Sequence, residues 1–138
     1  MANDIQLGNP QDRLKFKLLP AEERGVIHRA GSAVVFSHLR AREVCRGTIL
    51  LFHGVGSNAS RWEEFVERTP LSEHYDIVRI DLRGHGGSET RTTGTLEVHV
   101  EDAVAIERSL GLKNAIVMGH SLGAHIALQL AHTYPECV

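Results

Sequence analysis

The chain has 138 residues, 42% hydrophobic and 23% charged, enough for one domain with a real core and too apolar for a disordered segment or a fibre. Its net charge of −2, from 15 basic and 17 acidic residues, excludes nucleic acid or an anionic membrane as a partner held by bulk electrostatics. Two cysteines, Cys45 and Cys137, do not make a disulfide framework and read as unlinked thiols.

The opening MANDIQLGNPQDRLKFKLLP has no basic region followed by an apolar run, so it does not read as a signal peptide. No window approaches the roughly 18 apolar residues of a bilayer span. The expectation is a cytoplasmic protein, with Asn58-Ala59-Ser60 a chance match to a glycosylation acceptor. Residues 1–20 are polar, carry Pro10 and Pro20 and show no sustained period, which predicts a loosely packed lead-in before a domain over 21–138.

Val26-Ile27-His28 and Ala33-Val34-Val35-Phe36 flank Gly31-Ser32, the pattern of a hairpin. Residues 37–47 are polar and basic and read as a loop. Thr48-Ile49-Leu50-Leu51-Phe52 is apolar on both faces, as a buried parallel strand must be. It runs into the loop His53-Gly54-Val55-Gly56-Ser57-Asn58. Ser60-Arg61-Trp62-Glu63 matches a capping box and predicts a helix from Ser60 to near Pro70, with Trp62, Phe65 and Val66 on one side.

A second strand is predicted over Tyr75 to Leu82, followed by the glycine-rich loop RGHGGSETRTTG. Leu96, Val100, Ala103 and Val104 then repeat at 3.6 spacing, and Gly111 closes that helix. Ala115-Ile116-Val117-Met118 is a third apolar strand. It enters Gly119-His120-Ser121-Leu122-Gly123 and an apolar helix that ends at Pro135. Buried strands alternating with helices predict an α/β fold: a mostly parallel sheet with an N-terminal hairpin and helices on both faces.

Gly119-x-Ser121-x-Gly123 between an apolar strand and a helix has a specific physical sense. A sharp turn there lifts the Ser121 hydroxyl above the sheet, and the two glycines permit backbone approach that a Cβ would obstruct. The helix N-terminus aims unpaired N–H groups and a positive dipole end at the same place. His53-Gly54 after the first long strand offers a second N–H, that of Val55, to pair with that of Leu122. Two such donors stabilise the tetrahedral oxyanion of acyl transfer.

Asp81-Leu82-Arg83-Gly84-His85-Gly86-Gly87-Ser88 is a third element. Its Asp81 and His85 could be read as a catalytic pair. The stronger reading is structural, with Asp81 accepting backbone bonds and the glycines bending the loop, and it places His85 at the pocket mouth. The other histidines are scattered without metal-ligand spacing, so no metal and no cofactor is expected. His28, His38, His74, His99 and His132 read as solvent-facing or packing residues. His125 lies four residues after Ser121 on the same helix, where it points along the helix rather than over the turn. The glycines lack Gly-x-Gly-x-x-Gly spacing, which weighs against a dinucleotide.

In this order and at these spacings, the His-Gly, Asp-x-Arg-Gly-His-Gly-x-Ser and Gly-His-Ser-x-Gly motifs resemble the α/β-hydrolase superfamily. The similar branch holds esterases, lactonases and carbon–carbon bond hydrolases. The resemblance runs from about Val26 to Pro135. It implies Ser121 as nucleophile, the N–H groups of Val55 and Leu122 as oxyanion hole, and His53, Gly54, Gly119, His120 and Gly123 as support. It implies a small-molecule ester or other acyl substrate and neither nucleic acid nor membrane as partner. A serine here argues against the dehalogenase and epoxide hydrolase branches, which use aspartate.

The chain departs from that family in one respect. There the acid and histidine follow the serine in chain order. The 17 residues after Ser121 contain Glu136 as their only acid, with no histidine beyond it. The expectation is therefore the N-terminal portion of the fold, lacking later strands and lid, with an apolar open edge at Ala115–Met118 that favours self-association or a complementing chain. A binding module built on half the fold, and an acyltransferase or thioesterase using the same serine, remain alternative readings.

Overall fold

The structure, a computed structural model, describes residues 17–88, 90 and 94–138, and the backbone of 5–7. Among the described residues six strands form one sheet: β1 (Ile5–Leu7), β2 (Glu22–Arg29), β3 (Ser32–Leu39), β4 (Gly47–Phe52), β5 (Tyr75–Ile80) and β6 (Ala115–Gly119). The spatial order is β1-β2-β3-β5-β4-β6. The pairs β1–β2, β2–β3 and β3–β5 are antiparallel, whereas β4 lies parallel to β5 on one side and β6 on the other. The change of sense follows from the connections. A tight turn at Ala30 and Gly31 joins β2 to β3, while crossovers carrying α1 (Glu63–Arg68) and α2 (Leu96–Leu110) join β4 to β5 and β5 to β6.

Every residue of β4 is buried, as its unbroken apolar run requires. Side chains alternate between two cores. Leu50, Phe52, Val78 and Ile80 pack with Val100, Ile106, Ile126 and Leu130 from α2 and α3 (Leu122–Thr133). Ile49, Leu51 and Ile77 pack on the other face with Val66, Trp62 and Phe65 around α1. The helices therefore cover both faces, with α2 and α3 on one and α1 on the other.

α2 begins and ends where its sequence signals place it. Thr95 accepts from the Val98 N–H, and Gly111 adopts the left-handed conformation with φ 65°. The start of α1 differs from expectation. Asn58, in extended conformation, accepts from the Ser60 N–H at 2.8 Å and opens a 3-10 turn over Ala59–Trp62, so α1 starts at Glu63 rather than Ser60. The carboxamide fills the capping role two residues before the box, and Ser60 is left exposed. The lead-in also holds more than was expected: Ile5–Leu7 pair with Gly25–Ile27 as the edge strand β1, and Leu19 is buried. A three-residue strand is too short to show a period in sequence.

The sheet holds one fully buried ion pair that no periodicity announces. Arg79 on β5 donates Nε and Nη2 to the two carboxylate oxygens of Glu22 on β2, at 2.9 and 2.5 Å. Glu22 also accepts from the Ser37 hydroxyl and the Leu19 N–H, and Arg79 reaches the carbonyls of Ala59 and Lys17. One guanidinium thus ties β5, β2, the lead-in and the turn before α1. A buried charge left without its partner is costly, so Glu22→Ala is expected to lower unfolding free energy by about 3–5 kcal/mol, read as a fall in the denaturant midpoint. An unchanged midpoint would refute this.

Candidate active site

The end of β4 and the turn from β6 into α3 meet backbone to backbone. A Cβ on Gly123 would overlap the Phe52 carbonyl, and one on Gly119 would overlap the Gly123 carbonyl. The His120 N–H donates to Phe52 O at 3.1 Å across the same contact. Both glycines of Gly119-x-Ser121-x-Gly123 are therefore required by proximity, as the sequence predicted.

Between them Ser121 is held at φ 55°, ψ −116°, a region costly for a residue with a Cβ. It is exposed and occupies the N-cap position of α3, with no side-chain cap bond. The N–H groups of Gly123 and Ala124 are bound to His120 O and Ser121 O. The Leu122 N–H, by contrast, has no protein acceptor among the described residues, nor has the Val55 N–H. Gly54 lies against the turn, close enough that a Cβ there would stand 3.2 Å from Ser121 Cβ and from His120 Nδ1. The strained serine, its helix terminus and the His53–Val55 loop are thus brought together. Val55 directs its own side chain to solvent.

His53 is fully buried. Its Nδ1 lies 2.8 Å from Gly54 O and its Nε2 3.0 Å from the Leu82 N. A carbonyl can only accept and an amide N–H can only donate, so the ring is the neutral tautomer with the proton on Nδ1. Burial lowers its pKa to about 4, outweighing the bond to Gly54 and reinforced by the nearby His85 and His99. His85 is half-buried, edge-on to the His53 ring at 5.2 Å, with Nδ1 3.2 Å from Arg83 O.

Asp81 accepts from the Ala59 and Gly87 N–H groups at 2.7 and 2.9 Å, the structural role predicted for it. Burial raises its pKa against those bonds and the neighbouring Arg79 and His85. A Cβ on Gly86, at φ 51°, would run into the Asp81 carboxylate. Ser88 donates its hydroxyl to Asp81 O and accepts from the Val35 N–H. Arg83 fixes the same loop to α2 through two bonds to Asp102, at 2.9 and 2.7 Å. Sequence reasoning missed the Arg83–Asp102 pair and the two ends of the His53 bridge. The apolar neighbours of His53, Phe52 and Leu51, were the only sequence signal that it is buried.

His28, His125 and His132 are exposed, while His38 is buried against Asp76 at 2.8 Å and His99 is buried on α2. No side chain hydrogen-bonds Ser121 Oγ among the described residues. Nor do three His, Cys, Asp or Glu side chains there converge on a metal position. Cys45 and Cys137 are free thiols. No described helix is long and apolar enough to cross a membrane. An open groove of about 700 Å³ runs from Gly119 and His120 along α1 past Trp62, Phe65 and Arg68.

This elbow-and-loop arrangement is that of a hydrolase fold, and comparison with known proteins agrees. The alpha/beta hydrolase fold family matches residues 47–138. The chain belongs to that family. It is 36% identical to a 2-(acetamidomethylene)succinate hydrolase of Mesorhizobium japonicum over 72% of this chain and 36% of the relative. It is 34% identical to the dihydrolipoyllysine-residue acetyltransferase component of an acetoin cleaving system of Cupriavidus necator, over 86% of this chain and 33% of the relative. An epoxide hydrolase from an endophytic Streptomyces shares the fold at 24% identity and a TM-score of 0.73, over 86% of this chain and 35% of that one. The chain thus spans about a third of the length of these relatives.

The His53 pKa makes stability depend on pH with a definite sign. Between its ordinary value of 6.5 and about 4 the unfolded chain binds a proton that the folded one refuses. Stability therefore rises with pH across that window and is lost as pH falls through it, by on the order of 3 kcal/mol in full. His99, also shifted down by burial, adds in the same sense, while Asp81, shifted up, acts oppositely above pH 3.8. Denaturation curves from pH 7 to 4 should show a shallower slope in His53→Gln than in the wild type. Equal slopes would contradict the neutral buried ring.

Proposed function

We propose that the chain carries the nucleophile half of a serine hydrolase acting on an ester or related acyl substrate. The single observation that supports this most is Ser121, exposed and held at φ 55° on the N-terminus of α3. In this reading Ser121 Oγ attacks the substrate carbonyl carbon and gives its proton to a base. The N–H groups of Val55 and Leu122 take the oxyanion, the alcohol leaves with a proton, and water releases the acid. The reading requires an imidazole and an acid in reach of Ser121. The relatives are named for hydrolysis and for acetyl transfer. Both fit an acyl-serine intermediate, since transfer differs only in the acceptor that replaces water. An aspartate nucleophile of the epoxide hydrolase kind does not fit a serine at position 121.

The test uses a short-chain nitrophenyl ester and a fluorophosphonate label, on the 138-residue chain and on the whole product of its reading frame. Label is expected on Ser121. Ser121→Ala is expected to lose both the label and roughly a millionfold of the turnover. Turnover or labelling that survives Ser121→Ala would refute the reading.

A further inference from the structure

We propose that His53 is a positioning residue that orients the Val55 N–H toward the oxyanion. It does so by gripping the peptide that carries this N–H from its opposite side. The proposal rests on the reading of Val55 as an oxyanion donor and goes beyond it by naming what holds that donor in place.

The argument is one of peptide geometry. Gly54 C=O and Val55 N–H belong to one planar trans peptide, so they point in opposite directions. Whatever fixes the carbonyl fixes the N–H. The carbonyl accepts from His53 Nδ1–H at 2.8 Å, a side chain adjacent in sequence and fully buried, and more weakly from the Ser57 N–H at 3.2 Å, which belongs to the same loop and moves with it. The ring cannot swing away, because Nε2 is itself held by the Leu82 N–H at 3.0 Å. Flipping the peptide would aim Val55 N–H at the Nδ1 proton and leave a buried donor facing a donor.

Apart from the Ser57 N–H, the following residues add little hold on this peptide. Gly54 and Gly56 flank Val55, and Gly56 sits at φ 72°, with open space where its Cβ would be. Val55 itself is exposed and contributes no packing to hold its backbone. The far end of the loop is tied separately, by the Ala59 N–H donating to Asp81. Leu82 and Asp81 are neighbours in sequence. The loop over 53–59 is therefore clamped at both ends by one dipeptide at the end of β5, and His53 is the clamp next to the donor.

The test separates the two ring nitrogens. An asparagine amide can stand where Nδ1–H stands, whereas a glutamine amide reaches toward Leu82 instead. In His53→Gln the Val55 amide is expected to lose order in 15N relaxation and to change its residual dipolar coupling. In His53→Asn both are expected to stay near wild type. With the nitrophenyl ester, His53→Gln is expected to lose roughly 100-fold in kcat with KM little changed, on the scale of one lost oxyanion donor, and His53→Asn to recover most of it. A Val55 amide unaltered in both variants would overturn the proposal. So would a kcat loss equal in the two variants and matched by their loss of folded protein. Should neither variant fold, the 15N shifts of the wild-type ring decide: a proton on Nδ1 supports the proposal, and one on Nε2 overturns it. If wild-type Ser121 proves inert, the hydrolase reading fails while the amide measurements still decide the positioning role.

Discussion

Two backbones meet without room for a side chain where Gly123 at the start of α3 abuts the carbonyl of Phe52 at the end of β4. Van der Waals radii allow no side chain there. The approach brings the β6–α3 turn onto the His53–Val55 loop and leaves Ser121 no ordinary conformation to adopt. The strain at Ser121 is local, but what sustains it is not. β4 is buried along its whole length between β5 and β6, and α3 is anchored by Ile126, Ala127 and Leu130. A site that needs an unfavourable φ is affordable only on a foundation this well packed.

Around that contact the loops are held by polar groups that are buried and fully directed. His53 bridges to Leu82, Asp81 to Ala59 and Gly87, and Arg83 to Asp102. Each links a loop at the C-terminal end of a parallel strand to an element beside it, where α/β sheets place their ligand sites. The side chains near Ser121 thus divide by task. A few face solvent and the groove, and the larger number, out of sight beneath them, hold backbone in position.

The parallel core and the serine turn were legible in sequence for a shared reason. The run Ile49–Phe52 reports burial directly, whereas Ala115–Met118, equally apolar, is buried only at Ala115, with Ile116 exposed; Gly119 and Gly123 stand at positions where only glycine fits. Gly111 and Thr95 marked the ends of α2 in the same way. The rest was hidden because it depends on contacts far apart in the chain. Glu22 and Arg79 are 57 residues apart, and nothing in either neighbourhood announces a partner. The Asn58 cap overrode a good capping box because the turn before α1 is also pulled by Asp81. β1 escaped notice because three residues carry no period. The role of His53 was legible only as support for a loop. Its two bonds could be seen only once Leu82 was brought beside it.

Phe52 has a consequence beyond packing. Its carbonyl receives the His120 N–H and abuts Gly123, and its own chain continues directly into His53, Gly54 and Val55. The two amides proposed for the oxyanion are thus both surveyed from a single benchmark. Suppose substitutions in the core shift β4 by a few tenths of an ångström. Both amides then travel with it and their separation is preserved, so the error cancels instead of accumulating. A lineage could repack the sheet, or replace the groove and everything that covers it, without retuning the spacing of these two amides. Relatives only about a third identical, one named for hydrolysis and another for acetyl transfer, are what such a shared origin of coordinates would permit.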